Sequence, residues 1–216
     1  MNLPIARTMS GQIAERIREK ILNGEYAPGA PLLQDSIASE FGVSKIPVRE
    51  ALVHLRADGL VDIFAHRGFQ VRALSAREAT EVFRLRLQLE PEAVMVGARS
   101  AEEDDRQLAE HALRRLDTAL EQRRLELVGD LNSAFHLSLI VPRTQPVASE
   151  ILARLHTISR RYVQTHLLLA GRIRRAVREH NELYSVWASG NAREAGRLTR
   201  AHIEETRNEL VKSLPD

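Results

Sequence analysis

Apolar residues recur at helical spacing between positions 33 and 60, and a glycine interrupts the pattern once. They recur every three or four positions on both sides of Gly42: Ile37, Ala38 and Phe41 before it, and Val48, Ala51, Leu52 and Leu55 after it. Gly42 stands where the chain must turn sharply, which favours a positive φ. The spacing therefore predicts two short helices joined by a tight turn, the outline of a helix-turn-helix.

The second helix of this pair is predicted to begin near Ser44 and to stop at Gly59. Ser44 can cap the helix, and Pro47 is tolerated in the first turn because a proline there lacks only an N–H that has no intrahelical partner. The apolar positions turn toward a core, which leaves Lys45 and Arg49 polar and long enough to reach outward. These two cations are the first candidates for contacts with a ligand.

Two short strand-like runs, at 60–63 and 69–72, follow the second helix. Residues 65–68, which lie between these runs, have the composition of a hairpin tip. A hairpin directly after a helix-turn-helix is a wing, and its tip carries Arg67 and Gly68. The first third of the chain is thus predicted to be a winged helix-turn-helix.

The remainder of the chain, from Ser75 onward, shows only helical periodicity. Ser75 and Glu78 resemble a capping box, and Pro91, Pro142 and Pro146 are expected to mark breaks. Helices are predicted at about 75–99, 104–122, 127–140, 146–168, 173–189 and 191–213. The predicted fold is mostly α: a domain at 1–73 with three helices and a small β-hairpin wing, then an all-α bundle at 74–216.

Composition narrows the class of protein without deciding it. The chain has 216 residues, of which 44% are hydrophobic and 28% charged, as in soluble globular proteins. No segment approaches the ~18 to 20 uncharged apolar residues of a membrane helix, and residues 1–10 lack the apolar core of a signal peptide. A cytoplasmic protein without membrane contact is expected. The absence of cysteine excludes disulfides, thiolate nucleophiles and Cys-ligated zinc.

Net charge says less about DNA than the placement of the charges does. Residues 1–73 carry nine Lys/Arg against eight Asp/Glu, so this segment is nearly neutral. Lys45, Arg49 and Arg67, however, fall on the second helix and the wing, where phosphates and base edges would be met. For Arg56, a solvated helix face and a contact to the DNA backbone remain equally open.

The segment 13–71 resembles the winged helix of the GntR family of bacterial transcription regulators. The resemblance is carried by NGEYAPGAPL at 23–32, GVSKIPVREAL at 42–52 and HRGFQV at 66–71. It covers about a third of the chain and implies binding to double-stranded operator DNA. The chain departs from the pattern at Asp35, where some relatives place a DNA-contacting arginine; an acid there would repel phosphate, so Asp35 is left out of the predicted site.

Each predicted DNA-binding residue has a physical role. Ser44 and the free N–H groups at the start of the second helix suit a phosphate. Lys45 and Arg49 are the candidates for base edges, since arginine can grip guanine O6 and N7 in the major groove. Arg67 and Gly68 would touch the backbone or the minor groove, where glycine permits close approach.

A possible metal site lies in the helical half of the chain. Asn132 and His136 are four residues apart and share one helix face, while His180 and His202 lie on two later helices. Their spacing resembles the FCD domain of the FadR subgroup, in which an Asp or Asn and three His from three helices hold a divalent ion. Zn²⁺ or Ni²⁺ would suit such donors, although Asn132 leaves the site one negative charge poorer than an aspartate would. The remaining histidines are interpreted as ordinary core or surface residues: His54, His66, His111, His156 and His166.

Arg86 is the candidate for holding an acidic effector. FRLRLQLEPEA at 83–93 resembles the first helix of the same domain, in which an Arg four residues before a Glu points into the ligand pocket. An arginine fork near a metal would hold a small carboxylate. Alternatively Arg86 and Glu90, at positions i and i+4, form an intrahelical pair that supports the helix, and both roles can hold together.

The sequence therefore predicts a homodimeric transcription regulator, not an enzyme, whose operator affinity responds to a small organic acid. Two alternatives stay open from the histidines alone. The ion itself could be the signal, or three histidines with an open coordination position could activate water in a metal-dependent hydrolase.

Overall fold

The structure is a computed structural model of the chain, and it describes residues 8–22, 24–64, 67–167 and 172–214. The chain divides into two compact units, Met1–Ala73 and Leu74–Asp216. Most of the residues that the structure describes are helical, which confirms the mostly α class. None of the helices in the described ranges has the length and apolar character needed to span a bilayer.

The first unit is a three-helix domain with a small sheet. In chain order its elements are α1 Met9–Leu22, β1 Pro31–Leu32, α2 Gln34–Phe41, α3 Lys45–Ala57, β2 Val61–Phe64 and β3 Gly68–Val71. The sheet order is β1-β3-β2 and both pairings are antiparallel, with Val61 opposite Val71 and Pro31 opposite Gln70. The predicted wing is present, and the short strand β1, which the pattern did not predict, completes it.

The predicted core of the first unit is the observed one. Its centre is the inner face of α3, where Val48, Ala51, Leu52 and Leu55 have no exposed surface. Gly42 ends α2 with φ of 65°, and Gly59 follows α3 with φ of 75°. Both glycines adopt the left-handed conformation that other residues rarely take, which explains their positions at the turn and the stop.

The second unit is an all-α bundle. Its helices are α4 Ala76–Ser100, α5 Glu103–Glu121, α6 Leu125–Ser138, α7 Pro146–Leu167, α8 Arg172–Ala188 and α9 Ala192–Ser213. α4 packs along α9 and also against α7, while α6 lies between α5 and α7. The Ser75 hydroxyl accepts a hydrogen bond from the Glu78 N–H, so the predicted cap of α4 is formed.

Pro91 does not break α4: the predicted helix at 75–99, which runs through it, is observed, and only the expectation of a break at this proline is wrong. α4 continues through Pro91 to Ser100, and the proline is buried inside the helix. An interior proline removes one backbone hydrogen bond and costs about 3 kcal/mol in isolation. Tertiary packing along both faces of α4 outweighs this cost. The helix lies so close to its neighbours that a Cβ on Gly97 would come 2.1 Å from the Leu139 carbonyl oxygen.

Candidate functional site

The first candidate surface is the exposed side of α3 in the helix-turn-helix unit. Ser44 precedes α3 in an extended conformation, as expected of an N-cap, but its hydroxyl makes no capping hydrogen bond. The expected cap is therefore wrong in this detail. An N-cap side chain bonds the N–H of the second or third helical residue, and here the third is Pro47, which has none. The Ser44 hydroxyl is exposed at the start of the helix.

Lys45 forms an ion pair with Asp35, the residue that was left out of the predicted DNA-binding site. Its Nζ lies 2.5 Å from Asp35 Oδ1, which joins the first turns of α2 and α3. Both side chains are largely exposed, at 66% and 74%. An exposed pair of this kind contributes little stability, so Lys45 can exchange its partner for another acceptor at low cost.

Arg49 is exposed on the outer face of α3, one turn beyond Lys45. It lines a shallow hollow together with Ile46, Glu50, Val53 and His54, all on α3. His54 is exposed, which agrees with its interpretation as a surface residue.

The predicted tip residues Arg67 and Gly68 are both exposed at the start of β3. The Arg67 N–H donates to the Phe64 carbonyl, and Gly68 has φ of 74°, the positive value that a tight hairpin requires. His66 and Ala65 lie outside the described residues. The two cations of α3 and the wing tip therefore belong to one small unit but come from different elements.

The second candidate surface is a cavity inside the helical unit. α6 contributes Asn132 and His136, α8 contributes His180 and α9 contributes His202 to its lining. The three imidazoles each offer a nitrogen, and these nitrogens all lie within 4.8 Å of one another. His180 Nε2 and His202 Nε2 are 3.4 Å apart. Two nitrogens that share a tetrahedral Zn²⁺ lie about 3.3 Å apart, given Zn–N bonds of about 2.0–2.1 Å.

Two carboxylates, those of Glu90 and Glu179, contact the Nδ1 atoms of His136 and His202. Glu179 Oε2 lies 2.7 Å from His202 Nδ1 in a hydrogen bond, while Glu90 Oε1 lies 3.1 Å from His136 Nδ1 in an ion-pair contact without hydrogen-bond geometry. An acceptor at Nδ1 favours the tautomer with its proton there and leaves Nε2 as a bare lone pair. His136 Nε2 is buried and has no hydrogen-bond partner among the described residues. A nitrogen in that state is suited to a metal ion, so this donor set fits the divalent ion predicted from the sequence.

Burial keeps two of the imidazoles in the form that binds metal. Loss of solvation lowers the pKa of His136 to about 3, against the opposing effect of Glu90. Burial also holds the pKa of His180 well below its usual value, and the neighbouring His202 and His136 add to the shift. Both rings are therefore neutral at physiological pH, as a metal ligand must be.

The two carboxylates remain charged although burial opposes it. Burial, the largest effect, would raise the pKa of each, but Arg86 and His156 hold the pKa of Glu90 well below its usual range. Hydrogen bonds from His202 and Arg175 lower the pKa of Glu179 to about 2. Each ionised carboxylate is paired with an arginine that lines the cavity, Glu90 with Arg86 and Glu179 with Arg175.

Arg86 lines the same cavity and is almost fully buried. Its Nε donates to Glu90 Oε2 at 2.8 Å and its Nη2 to Glu90 Oε1 at 3.2 Å, which is the two-pronged pair that guanidinium and carboxylate groups favour. Its remaining nitrogen, Nη1, donates to Ser159 Oγ on α7 at 3.2 Å. The intrahelical pair is therefore present, and Arg86 also faces the cavity.

Ion pairs between α8 and α9 line the outer part of the cavity. Arg175 Nη1 lies 2.8 Å from Glu205 Oε1 and 3.5 Å from Glu209 Oε1, while Arg172 also pairs with Glu209. Glu179 joins this cluster to the imidazoles, because its Oε1 accepts from Arg175 at 2.5 Å and its other oxygen from His202. The cavity is therefore lined by the buried Arg86 and by the more exposed Arg172 and Arg175.

Sequence reasoning missed the role of Glu179 and the contact between His156 and Glu90. Glu179 directly precedes a predicted ligand, but its partner His202 lies on another helix, and only the fold brings them together. His156 was interpreted as an ordinary histidine, and it is a core residue whose Nε2 lies 3.1 Å from Glu90 Oε2. The side chain of His166 is not among those described. The signal in the sequence for Glu179 was its position as a charged residue next to the candidate ligand His180.

Comparison with known protein families decides the assignment. Residues 9–71 match the family of bacterial regulatory proteins described as gntR, and residues 81–205 match the FCD domain. The second match alone covers more than half of the chain. The chain belongs to the GntR family. Members with this FCD domain are transcription regulators and not enzymes, so the family assignment does not support the hydrolase alternative.

Individual GntR regulators resemble the chain at modest identity. It is 30% identical over 131 residues to YdhC of Bacillus subtilis, an uncharacterized HTH-type transcriptional regulator, which covers 60% of this chain. It is 27% identical over 144 residues to the HTH-type transcriptional regulator McbR of Escherichia coli, which covers 67% of this chain. The chain spans only 58% of YdhC and 65% of McbR.

Solved GntR structures share the fold of both units. A transcriptional regulator from Rhodococcus sp. RHA1 matches with a TM-score of 0.81 and 24% identity, over 95% of this chain and 99% of that one. Escherichia coli McbR/YncC also matches with a TM-score of 0.81, at 20% identity, over 95% and 98% of the two chains. At these identities the likeness concerns the fold alone.

Proposed function

We propose that this GntR regulator changes its affinity for operator DNA when a small organic acid enters the cavity of its helical unit, next to a divalent metal ion. The observation that carries the proposal is the convergence of three imidazoles, from His136, His180 and His202, in a cavity that a buried arginine also lines. In this proposal Asn132, His136, His180 and His202 hold Zn²⁺ or Ni²⁺, and Arg86 contacts the acid.

Electrostatics supports an anionic effector. Three neutral imidazoles and a neutral amide would leave the full double positive charge on a bound ion, which an aspartate in place of Asn132 would partly cancel. Such an ion would offer an open position to a carboxylate oxygen. Arg86 can offer N–H donors to a second oxygen, because a guanidinium has five and its three contacts in the structure do not use them all.

Arg86 links the cavity to the DNA-binding unit through the chain, because it lies on α4, the first helix after that unit. α4 begins at Ala76, just after the boundary between the units at residue 73. An acid that draws Arg86 away from Glu90 or Ser159 changes the packing of the helix that directly follows the winged unit. Differential binding of the acid to two arrangements of α4 would then be expressed as a change in operator affinity.

On the DNA side, the proposal assigns contacts to five exposed residues. Ser44 and the N-terminus of α3 bind a phosphate, Lys45 and Arg49 read base edges, and Arg67 with Gly68 contacts the backbone or minor groove. A twofold homodimer would place two copies of α3 on a near-palindromic operator about one helical turn apart.

Mobility-shift titration with the DNA upstream of the protein's own gene tests this function. Metal-stripped and Zn²⁺- or Ni²⁺-loaded protein are compared with and without a panel of small mono- and dicarboxylic acids, at low and moderate salt. The proposal predicts that one acid changes the Kd for DNA only in the metal-loaded protein, and that Arg86→Lys weakens this response. A change caused by the metal alone would favour the metal-responsive alternative, and absence of any DNA shift would contradict the proposal.

A further inference from the structure

The recognition helix α3 carries apolar side chains on its outer side as well as on the inner side that belongs to the core. Its inner face is fully buried, whereas Ile46 is 71% exposed and Val53 is 45% exposed on the outer side. Among the large hydrophobic residues that the structure describes, Ile46 has the highest exposed fraction. A single exposed apolar residue is ordinary on a protein surface, so the position of Ile46 is what matters.

Ile46 lies at the end of α3 that meets base edges. It is the second residue of the helix, next to Lys45, and it lines one shallow hollow with Arg49 and Glu50, three and four positions further on. In a helix-turn-helix the N-terminal residues of the recognition helix reach into the major groove. The apolar side chain therefore lies next to Lys45 and Arg49, the two cations assigned to base edges.

We infer that Ile46 determines specificity by contacting the 5-methyl group of a thymine next to the base pair read by Arg49. In the major groove thymine presents a 5-methyl group beside its O4 acceptor, and none of the other three bases presents a methyl group there. Isoleucine offers neither donor nor acceptor. A polar base edge buried against it would lose its hydrogen bonds to water, so the side chain both favours thymine and penalises the other bases.

The inference depends on DNA binding through α3, which is the function of the family, and not on the metal or the acid. The exposure of Ile46 also makes it easy to test. Because the side chain does not contribute to the core of the first unit, Ile46→Ser should leave the fold intact. Val53→Ser is the matched control, since Val53 is an exposed β-branched residue on the same face, seven positions further along the helix.

The experiment uses the full chain and random-sequence duplex DNA. Wild type and both variants select their preferred sequences from the random pool, and each thymine of the wild-type sequence is then replaced singly by deoxyuridine, which lacks the methyl group. At one thymine per half-site, we expect deoxyuridine to raise the Kd of the wild type about fourfold, the effect of one methyl group. The same replacement should leave the Kd of Ile46→Ser unchanged, and Val53→Ser should keep the wild-type sensitivity.

Three results would overturn the inference. The first is that wild type and Ile46→Ser select the same bases while the wild type binds every deoxyuridine duplex as tightly as the thymine duplex. The second is that Val53→Ser, and not Ile46→Ser, loses the sensitivity. The third is that the wild type selects no sequence at all, which would also contradict sequence-specific DNA binding through α3. The first two leave DNA binding intact, so they separate this inference from the family function.

Discussion

Replacing the buried arginine beside the cavity should destabilise the helical unit strongly. The side chains of Arg86 and Glu90 are 3% and 0% exposed, and two hydrogen bonds join them. Arg86→Met would leave the Glu90 carboxylate buried among imidazoles with no guanidinium. Breaking a buried ion pair by removing one partner costs about 3–5 kcal/mol. We expect the free energy of unfolding of the helical unit to fall by about that amount.

A double-variant cycle separates this structural role from a role in ligand binding. Arg86→Met/Glu90→Gln removes both charges, so most of the lost stability should return, to within about 2 kcal/mol of wild type. Urea unfolding of the metal-free full chain, followed by circular dichroism of the predominantly helical second unit, gives the free energies. Arg86→Lys serves as a control that keeps the charge and loses the two-pronged geometry.

Two results would refute this reasoning. A loss below about 1 kcal/mol for Arg86→Met would mean that Glu90 does not depend on the guanidinium for its charge. Additive losses in the double variant would mean that the two side chains are not coupled. If the double variant recovers stability and still fails to respond to an acid that acts on wild type, Arg86 has a separate part in effector binding.

Two further predictions concern the helical unit without metal. Its stability should fall as the pH drops below about 6.5, because the lowered pKa values of His136, His156 and His180 in the folded state let the unfolded chain bind protons that the folded chain does not. With all three contributing, the slope reaches about 4 kcal/mol per pH unit, so stability that stays constant from pH 7 to 5 would contradict the buried neutral imidazoles. Gly97→Ala should cost about 1–3 kcal/mol by thermal unfolding, since the new Cβ would meet the Leu139 carbonyl oxygen, and an unchanged melting temperature would show that the close approach of α4 is not required.

The sequence predicted the features that depend on local periodicity and on single backbone constraints. The helices of the second unit lie close to the predicted ranges, and the turn at Gly42 has the expected positive φ. Apolar spacing fixes which face of a helix is buried, and a positive φ restricts the residue type, so both are readable without a partner element.

The features that sequence reasoning missed depend on pairings between distant residues. The strand β1 has two residues and exists only because β3 lies beside it. The contact between Glu179 and His202, and that between Lys45 and Asp35, join different helices. Pro91 shows the opposite case, since a strong local signal for a break yields to packing of the whole helix.

Metal titration of the purified chain tests the account of the cavity most directly. Metal-stripped wild type is titrated with Zn²⁺ and with Ni²⁺ by calorimetry, and circular dichroism checks that each variant remains folded. We expect one ion per chain for wild type and for the surface control His111→Ala, and loss of this binding in His136→Ala/His180→Ala. Wild type that binds neither ion, or a double variant that binds as tightly as wild type, would contradict it.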